Sequence, residues 1–242
     1  MPASSNFNQA IREAQSSAIV GPNVVNKALP YVGAGMGLTS VGVLGGLTLQ
    51  QRPLFTPLFF IAIIAQLVLF FVASSAANNA NNTKALPLLA SYSLLTGFTL
   101  SGIIAYAAIA IGPGSIATAA LATGITFIIA SYTGQRMSDN VGQALSGVVG
   151  LGMIGLIIAM VIQIIGSIFT SGGMPQGLEL IIAGFGTVLF VGMSFVDFYT
   201  MPRRYNDEQY LAGALGMYLT YINLFVFILR LMIALQGGGR RN

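Results

Sequence analysis

Seven long apolar segments alternate with short polar stretches along this chain. Each segment has about twenty residues or more, which is the length an α-helix needs to cross the hydrocarbon core of a bilayer. The segments lie at about 28–50, 54–77, 85–111, 115–133, 141–169, 177–201 and 208–235. Polar stretches such as "NNANNTK" (78–84) and "GQRMSDN" (134–140) separate them. The pattern predicts an all-α integral membrane protein, a bundle of seven transmembrane helices.

The two ends of the chain are polar. Residues 1–27 form a predicted N-terminal tail, 28–235 a single transmembrane domain, and 236–242 a basic C-terminal tail. No linker or soluble insert between the segments is long enough to fold separately. Within the first tail, apolar residues recur at helical spacing: Phe7, Ile11, Ala14 and Ala18. This spacing leaves two alternatives open, a short helix on the membrane surface and a disordered tail.

The composition also indicates a membrane protein. Of the 242 residues, 55% are hydrophobic and only 7% are charged, whereas soluble domains carry roughly 25% charged residues. The mean hydropathy is +0.81. The net charge of +4 comes from Lys and Arg residues that stand singly or in pairs near segment ends, without the basic stripe of a nucleic-acid-binding protein. The lipid bilayer is therefore the predicted partner, and nucleic acid is not.

The Lys and Arg residues predict the orientation, because inner loops of membrane proteins are enriched in them. With the N-terminus in the cytoplasm, the inner side holds most of them: Arg12, Lys27, Lys84, Arg136, Arg203 and Arg204. The outer side holds Arg52, and also Arg240 and Arg241 if the last segment crosses fully. A re-entrant last segment would move Arg240 and Arg241 inside. A cytoplasmic N-terminus is favoured either way, and the side of the C-terminus stays open.

Several classes of enzyme are disfavoured by what the chain lacks. It has no Cys and no His, which removes thiolate nucleophiles, Ser–His pairs and Cys-based metal sites. Aspartyl proteolysis requires two carboxylates that share a proton, and only Asp197 lies deep in a span. No Gly-rich phosphate-binding loop ends in Lys-Ser or Lys-Thr. We therefore predict a protein that is not an enzyme and has no catalytic, cofactor or metal-binding residues.

Two charged residues lie deep inside predicted spans. Asp197 stands in "VGMSFVDFYT" (191–200), and Arg230 stands in "INLFVFILRLMIAL" (222–235). A charge at the centre of a bilayer costs about 2.5–3.5 kcal/mol on insertion scales, so such residues usually face the bundle interior or water. We interpret both as candidate functional residues.

These charges have polar neighbours that could form an ion path. Thr220, Asn223 and Arg230 recur on one face of the last span. One carboxylate with hydroxyl and amide oxygens would bind Ca²⁺ weakly, since Ca²⁺ takes six to eight oxygen ligands. Weak binding suits a leak better than a storage site. The alternative is that Asp197 pairs with Arg203 or Arg204 and only fixes helix packing.

Smaller signals concern packing and helix ends. Gly33 with Gly37, Gly42 with Gly46, and Ser146 with Gly150 are pairs of small residues four apart, which predict close helix contacts. Asn206 and Gln209 resemble a capping box for the seventh helix, and Glu179 is predicted to be a wetted helix start.

The C-terminal third is similar to a known family. "VDFYT" (196–200) followed by "DEQYLAGALGMYLTYINLFVFILRLM" (207–232) resembles the transmembrane Bax-inhibitor-motif family, and "LPLLASYSLLTGFTLSGI" (86–103) resembles its third helix. The resemblance implies a seven-helix bundle in which the last helix is central, surrounded by the other six. It also implies a pH-sensitive Ca²⁺ leak channel. Members suppress cell death in eukaryotes, and in bacteria they also modulate a membrane-bound protease.

The resemblance implies a role for Asp197. The family's pH sensor is a pair of hydrogen-bonded aspartates, of which Asp197 matches the first, while Thr220 stands at the place of the second. We therefore expect a passive leak of Ca²⁺ or another cation with altered pH gating. The alternatives are a non-conducting regulator that binds a membrane protease or other membrane protein, and a relative that has lost its activity. The lack of Cys and His favours a bacterial inner membrane.

Overall fold

The structure, a computed structural model, describes residues 19–169 and 176–237. These residues form seven helices: α1 (Val24–Leu49), α2 (Phe55–Asn78), α3 (Asn82–Ala110), α4 (Gly114–Gly134), α5 (Asp139–Phe169), α6 (Gln176–Arg204) and α7 (Tyr210–Gly237). All seven are long and apolar enough to span a membrane, and no strand occurs in the described ranges. The predicted fold class is confirmed, and most helix ends lie within a few residues of the predicted ones.

The two predicted tails are described only where they meet the helices. α1 begins at Val24, so residues 24–27, which the sequence assigns to the N-terminal tail, belong to the first helix. The apolar spacing from Phe7 to Ala18 and the basic residues Arg240 and Arg241 lie outside the described residues.

Glycines allow α1 and α3 to lie in direct backbone contact. A Cβ atom on Gly42 would overlap the carbonyl oxygen of Leu94, and one on Gly97 would overlap the carbonyl oxygen of Thr39. Only glycine permits this approach, as expected for small-residue contacts in membranes. The predicted packing role of the pair that includes Gly42 is therefore confirmed.

The other predicted small-residue pairs do not pack in this way. A Cβ atom on Gly33, Gly37 or Gly150 would meet nothing within 4 Å, and all three are exposed on the outer surface of the bundle. The prediction for these positions is wrong, because spacing along the chain does not say which face of a helix has a neighbour.

The last helix packs against α1, α2, α3, α4 and α6. Its large side chains Tyr218, Leu224 and Leu229 are fully buried. That all six other helices surround α7 stays a prediction. The main contact of α5 is with α6, and Gln163 of α5 also accepts a hydrogen bond from Arg230 of α7.

The connection between α6 and α7 is held by side-chain caps. The backbone N–H of Gln209 donates to Asn206 Oδ1 at 3.0 Å, and the backbone N–H of Asn206 donates to Gln209 Oε1 at 3.1 Å. This reciprocal pair confirms the predicted capping box at the start of α7. The start of α1 lies against the same connection, because the N–H groups of Val20 and Gly21 donate to the Pro202 carbonyl at 2.8 and 3.0 Å.

Candidate functional site

A cavity of about 880 Å³ lies between α5, α6 and α7. It begins at the end of the bundle where α6 ends and α7 begins, called here the Arg203 end, and extends inward to Asn223 and Phe190. Asp197, Thr220 and Asn223 all line it. The structure thus brings together three of the four residues that the sequence predicts for an ion path.

Asp197 lies in the cavity with one oxygen unsatisfied. Its Oδ2 atom is buried and has no hydrogen-bond partner among the described residues. The side chain of Thr220 hydrogen-bonds to the Asp197 carboxyl group. Thr220 is itself only 3% exposed. A buried carboxylate without a full set of donors is unfavourable. Asp197 is therefore suited to receive a cation.

Asn223 lines the same cavity. Its Nδ2 group donates to the carbonyl oxygen of Leu219, one turn earlier in α7, at 2.9 Å. That bond uses one of the two N–H donors of the amide, and the amide oxygen is the atom of Asn223 that could coordinate a cation.

Arg203 lies at the mouth of the cavity but pairs with another acid. Its guanidinium group donates to the Asp139 carboxylate at 3.0 Å and to the Tyr199 carbonyl at 2.8 Å. Arg203 follows Asp197 by six residues, which is about 240° around a helix, so the two side chains point in different directions. The predicted alternative of an Asp197–Arg203 pair is not what the structure shows.

Arg204 is the second basic residue at the mouth. It is exposed, and its guanidinium carbon lies 5.4 Å from the centre of the Tyr205 ring. Within the described ranges it forms no ion pair with a carboxylate, Asp197 included.

Arg230 does not line this cavity. It is ten residues beyond Thr220 on α7, about 15 Å along the axis, at the opposite end of the bundle, called here the Arg230 end. Its guanidinium group donates to both carboxylate oxygens of Glu179, at 2.9 and 3.0 Å, and to Gln163 at 3.1 Å. Gln163 in turn donates to Glu179 at 2.5 Å. The structure thus separates Arg230 from the predicted path.

Sequence reasoning missed the partners of both arginines. Glu179, predicted to be a wetted helix start, is an ion-pair partner of Arg230, and Asp139 is an ion-pair partner of Arg203. The only available signal was Gln163, a lone polar residue in the apolar run "AMVIQIIG" (159–166). Its contacts join α5, α6 and α7 and depend on how these helices cross.

Similarity to known proteins agrees with this architecture. A membrane protein of Streptococcus pyogenes serotype M1, described as uncharacterized, is 34% identical over 181 residues, which is 72% of this chain and 73% of that protein. The uncharacterized protein YrjE of Lactococcus lactis is 29% identical over 191 residues, 76% of each chain. Bax inhibitor 1 of Schizosaccharomyces pombe is 38% identical over 60 residues, 25% of this chain and 23% of that protein.

A family model covers more of the chain than any of these alignments. The model described as inhibitor of apoptosis-promoting Bax1 matches residues 21–237. That range contains all seven helices and the whole cavity. The chain is therefore a multi-pass membrane protein that belongs to the Bax inhibitor family.

Proposed function

We propose that this membrane protein is a passive leak for cations, Ca²⁺ in particular, and that Asp197 lines the path. The observation that carries the proposal is Asp197 itself, which lines the cavity and whose buried Oδ2 atom has no hydrogen-bond partner in the described part of the chain. A carboxylate at this depth is a functional candidate by default. We further propose that the protein has no enzymatic activity.

The ligands available in the cavity favour passage over storage. Ca²⁺ takes six to eight oxygens, whereas the cavity offers the Asp197 carboxylate, the Thr220 hydroxyl and the Asn223 amide oxygen. The remaining ligands must be water, so a cation binds weakly. Conduction requires such weak binding, because an ion must leave its site as readily as it enters.

The inner wall of the cavity requires a movement before an ion can cross. Phe190 lines the cavity and stacks on Phe227 with 5.3 Å between ring centres. The guanidinium carbon of Arg230 lies 5.3 Å from the centre of the same Phe227 ring. We propose that these groups close the path toward the Arg230 end and that the leak opens when α6 and α7 shift relative to each other.

Thr220 changes how such a leak responds to pH. Two adjacent carboxylates share a proton because both cannot be ionised at close range. A hydroxyl group beside Asp197 cannot replace the second carboxylate in this role. We therefore propose a leak whose pH response is weaker than that of a paired-aspartate sensor, or shifted to lower pH. Under the positive-inside rule the Arg203 end faces the cytoplasm, and a bacterial inner membrane is the proposed location.

The test is Ca²⁺ flux into proteoliposomes that contain the purified protein and an enclosed indicator. Asp197→Asn is expected to lower the flux about tenfold or more, which corresponds to a barrier raised by about 1.4 kcal/mol. Glu208→Gln is the control, since Glu208 is an exposed acid outside the cavity. Equal flux in the native protein and in Asp197→Asn would refute the role of Asp197.

A second variant tests the proposed effect of Thr220. Thr220→Asp places two carboxylates side by side and is expected to give flux that changes steeply over about pH 5–8. The native protein is expected to change less over this range. The absence of flux under all conditions, together with a co-purifying protease, would instead support a regulator that binds a membrane protease.

A further inference from the structure

The cavity at the Arg203 end carries opposite charges at two depths. Asp197 lies inside it, and Arg204 lies at its mouth. Seven residues separate them on α6, which is close to two full turns, so both lie on the same face of the helix with an axial separation of about 10 Å. Side chains of a helix lean toward its N-terminus, so the long Arg204 side chain leans toward Asp197.

Neither of these two charges is neutralised by an ion pair within the described residues. The Asp197 Oδ2 atom has no hydrogen-bond partner there, and the Arg204 guanidinium group lies over the Tyr205 ring without an ion pair. Arg203, by contrast, is paired with Asp139. The cavity therefore presents one negative charge deep inside and one positive charge at its mouth.

The walls of the cavity are mainly apolar. Met193, Met201 and Met217 are among the residues that line it. Small-molecule sites are typically about 300–1,000 Å³, mostly apolar, with a few polar groups that fix orientation. The cavity of about 880 Å³ has this character. An inorganic cation would satisfy Asp197 alone and would have to pass the guanidinium group of Arg204.

We propose that this cavity binds a small zwitterion, with its ammonium group at Asp197 and its carboxylate or phosphate group at Arg204. The inference uses the same cavity as the proposed leak, but it does not rest on conduction. Charge-assisted hydrogen bonds at both ends favour a ligand that carries both charges over one that carries either alone. The two positions are about 10 Å apart along α6, so a ligand whose charges are well separated is the better probe. An extended six-carbon ω-amino acid spans about 7 Å.

The test is calorimetric titration of the purified full chain in detergent with 6-aminohexanoate. The measurement is made at about pH 8, where both ends of this probe are charged. Hexylamine and hexanoate serve as probes with a single charge, and glycine as the short zwitterion. We expect 6-aminohexanoate to bind about tenfold more tightly than each of these.

Two variants test which residue binds each end of 6-aminohexanoate. Asp197→Asn is expected to weaken 6-aminohexanoate and hexylamine but not hexanoate. Arg204→Gln is expected to weaken 6-aminohexanoate and hexanoate but not hexylamine. Arg136→Gln is the matched control, because Arg136 is also an exposed arginine stacked on a neighbouring tyrosine, Tyr132, and does not line the cavity.

Each outcome decides the proposal. No binding of 6-aminohexanoate, or an equal loss in Arg136→Gln and Arg204→Gln, would overturn it. If Asp197→Asn failed to fold, Arg204→Gln would still decide, since its side chain is exposed. Zwitterion binding without Ca²⁺ flux would refute only the leak, and flux without zwitterion binding would refute only the present proposal.

Discussion

Two deep charges in this bundle have opposite surroundings. At the Arg230 end, the guanidinium group of Arg230 meets both carboxylate oxygens of Glu179 and is joined to Gln163. At the Arg203 end, Asp197 has one hydroxyl neighbour and one oxygen without a partner among the described residues. In the sequence, Asp197 and Arg230 are both charges within apolar spans, and the expected cost of placing them in a membrane is similar. The comparison shows that depth alone does not indicate function, because a fully paired charge joins helices whereas an unpaired one is available to a ligand.

The largest expected effect comes from breaking the paired cluster. Arg230→Met is expected to lower the free energy of unfolding by about 3 kcal/mol, because Glu179 is left partly buried without its partner. Thermal or denaturant unfolding in detergent, followed by circular dichroism, measures this loss. The double variant with Glu179→Leu removes both charges and is expected to recover most of the stability. An unchanged midpoint in Arg230→Met would show that the cluster holds no helices together.

A smaller effect is expected from the positive charge at the mouth of the cavity. Arg204→Gln should raise the Ca²⁺ flux severalfold, since it removes a charge that repels entering cations, and more so at low ionic strength. Flux in proteoliposomes at two salt concentrations measures the change. Arg136→Gln, a variant at a similar exposed arginine, is expected to leave the flux unchanged. A lower flux in Arg204→Gln would mean that the mouth does not act through repulsion.

A still smaller effect concerns Asp207, a carboxylate outside the spans at the Arg203 end. Asp207 accepts hydrogen bonds from the backbone and side chain of Asn23 at 2.9 and 3.1 Å, and Lys27 lies 4.0 Å away. Partial burial raises the pKa of Asp207, but the Asn23 hydrogen bonds and the Lys27 charge outweigh it and hold the pKa below its ordinary value of 3.8. The contribution of Asp207 to stability is therefore present above about pH 4 and lost as the pH falls through the lowered pKa.

Because the pKa of Asp207 is lowered, its contribution to stability depends on pH in a measurable way. Asp207→Asn should unfold at a slightly lower temperature than the native protein at pH 7, and this difference should shrink as the pH falls below about 4. The effect should shrink in high salt, because the site is close to water. Glu208→Gln, whose side chain is exposed, should match the native protein across this pH range. A larger difference at pH 3 than at pH 7 would contradict the assigned sign.

The smallest expected effect is that of Asp197→Asn on stability, which is compared directly with that of Arg230→Met. Asp197→Asn should change the free energy of unfolding by less than about 1 kcal/mol, because no complete set of hydrogen bonds is lost. The same unfolding assay measures it beside Arg230→Met. A loss as large as that of Arg230→Met would show that Asp197 is structural, and the contrast between the two ends would disappear.

Much of the fold follows from local features of the sequence. Runs of about twenty apolar residues must be helical in lipid, because every backbone group has to be hydrogen-bonded within the span. The cap formed by Asn206 and Gln209 is equally local. Thr220 and Asn223 were predictable as neighbours because they lie three residues apart on one helix.

The ion pairs could not be predicted, because they depend on how the helices pack against one another. The seven-residue spacing places Arg204 on the face of Asp197. The sequence does not show that Arg203 pairs with Asp139, since this depends on where α5 lies. The pairing of Glu179 with Arg230 spans 51 residues of chain and requires α6 and α7 to cross at the right height.

The hydropathy and burial of the seven spans predict the order in which they become stable in the membrane. α2 and α5 are the most apolar spans and the least buried, so each is stable in lipid before any partner exists. α6 carries Asp197, and its most extensive contact is with α7, the last of the seven to be synthesised. A chain ended before Tyr210 should therefore insert α5 efficiently and α6 poorly, which mapping with engineered glycosylation sites in microsomes would measure. On this view the ligand cavity is created in the final step of biogenesis, when the seventh helix joins the other six.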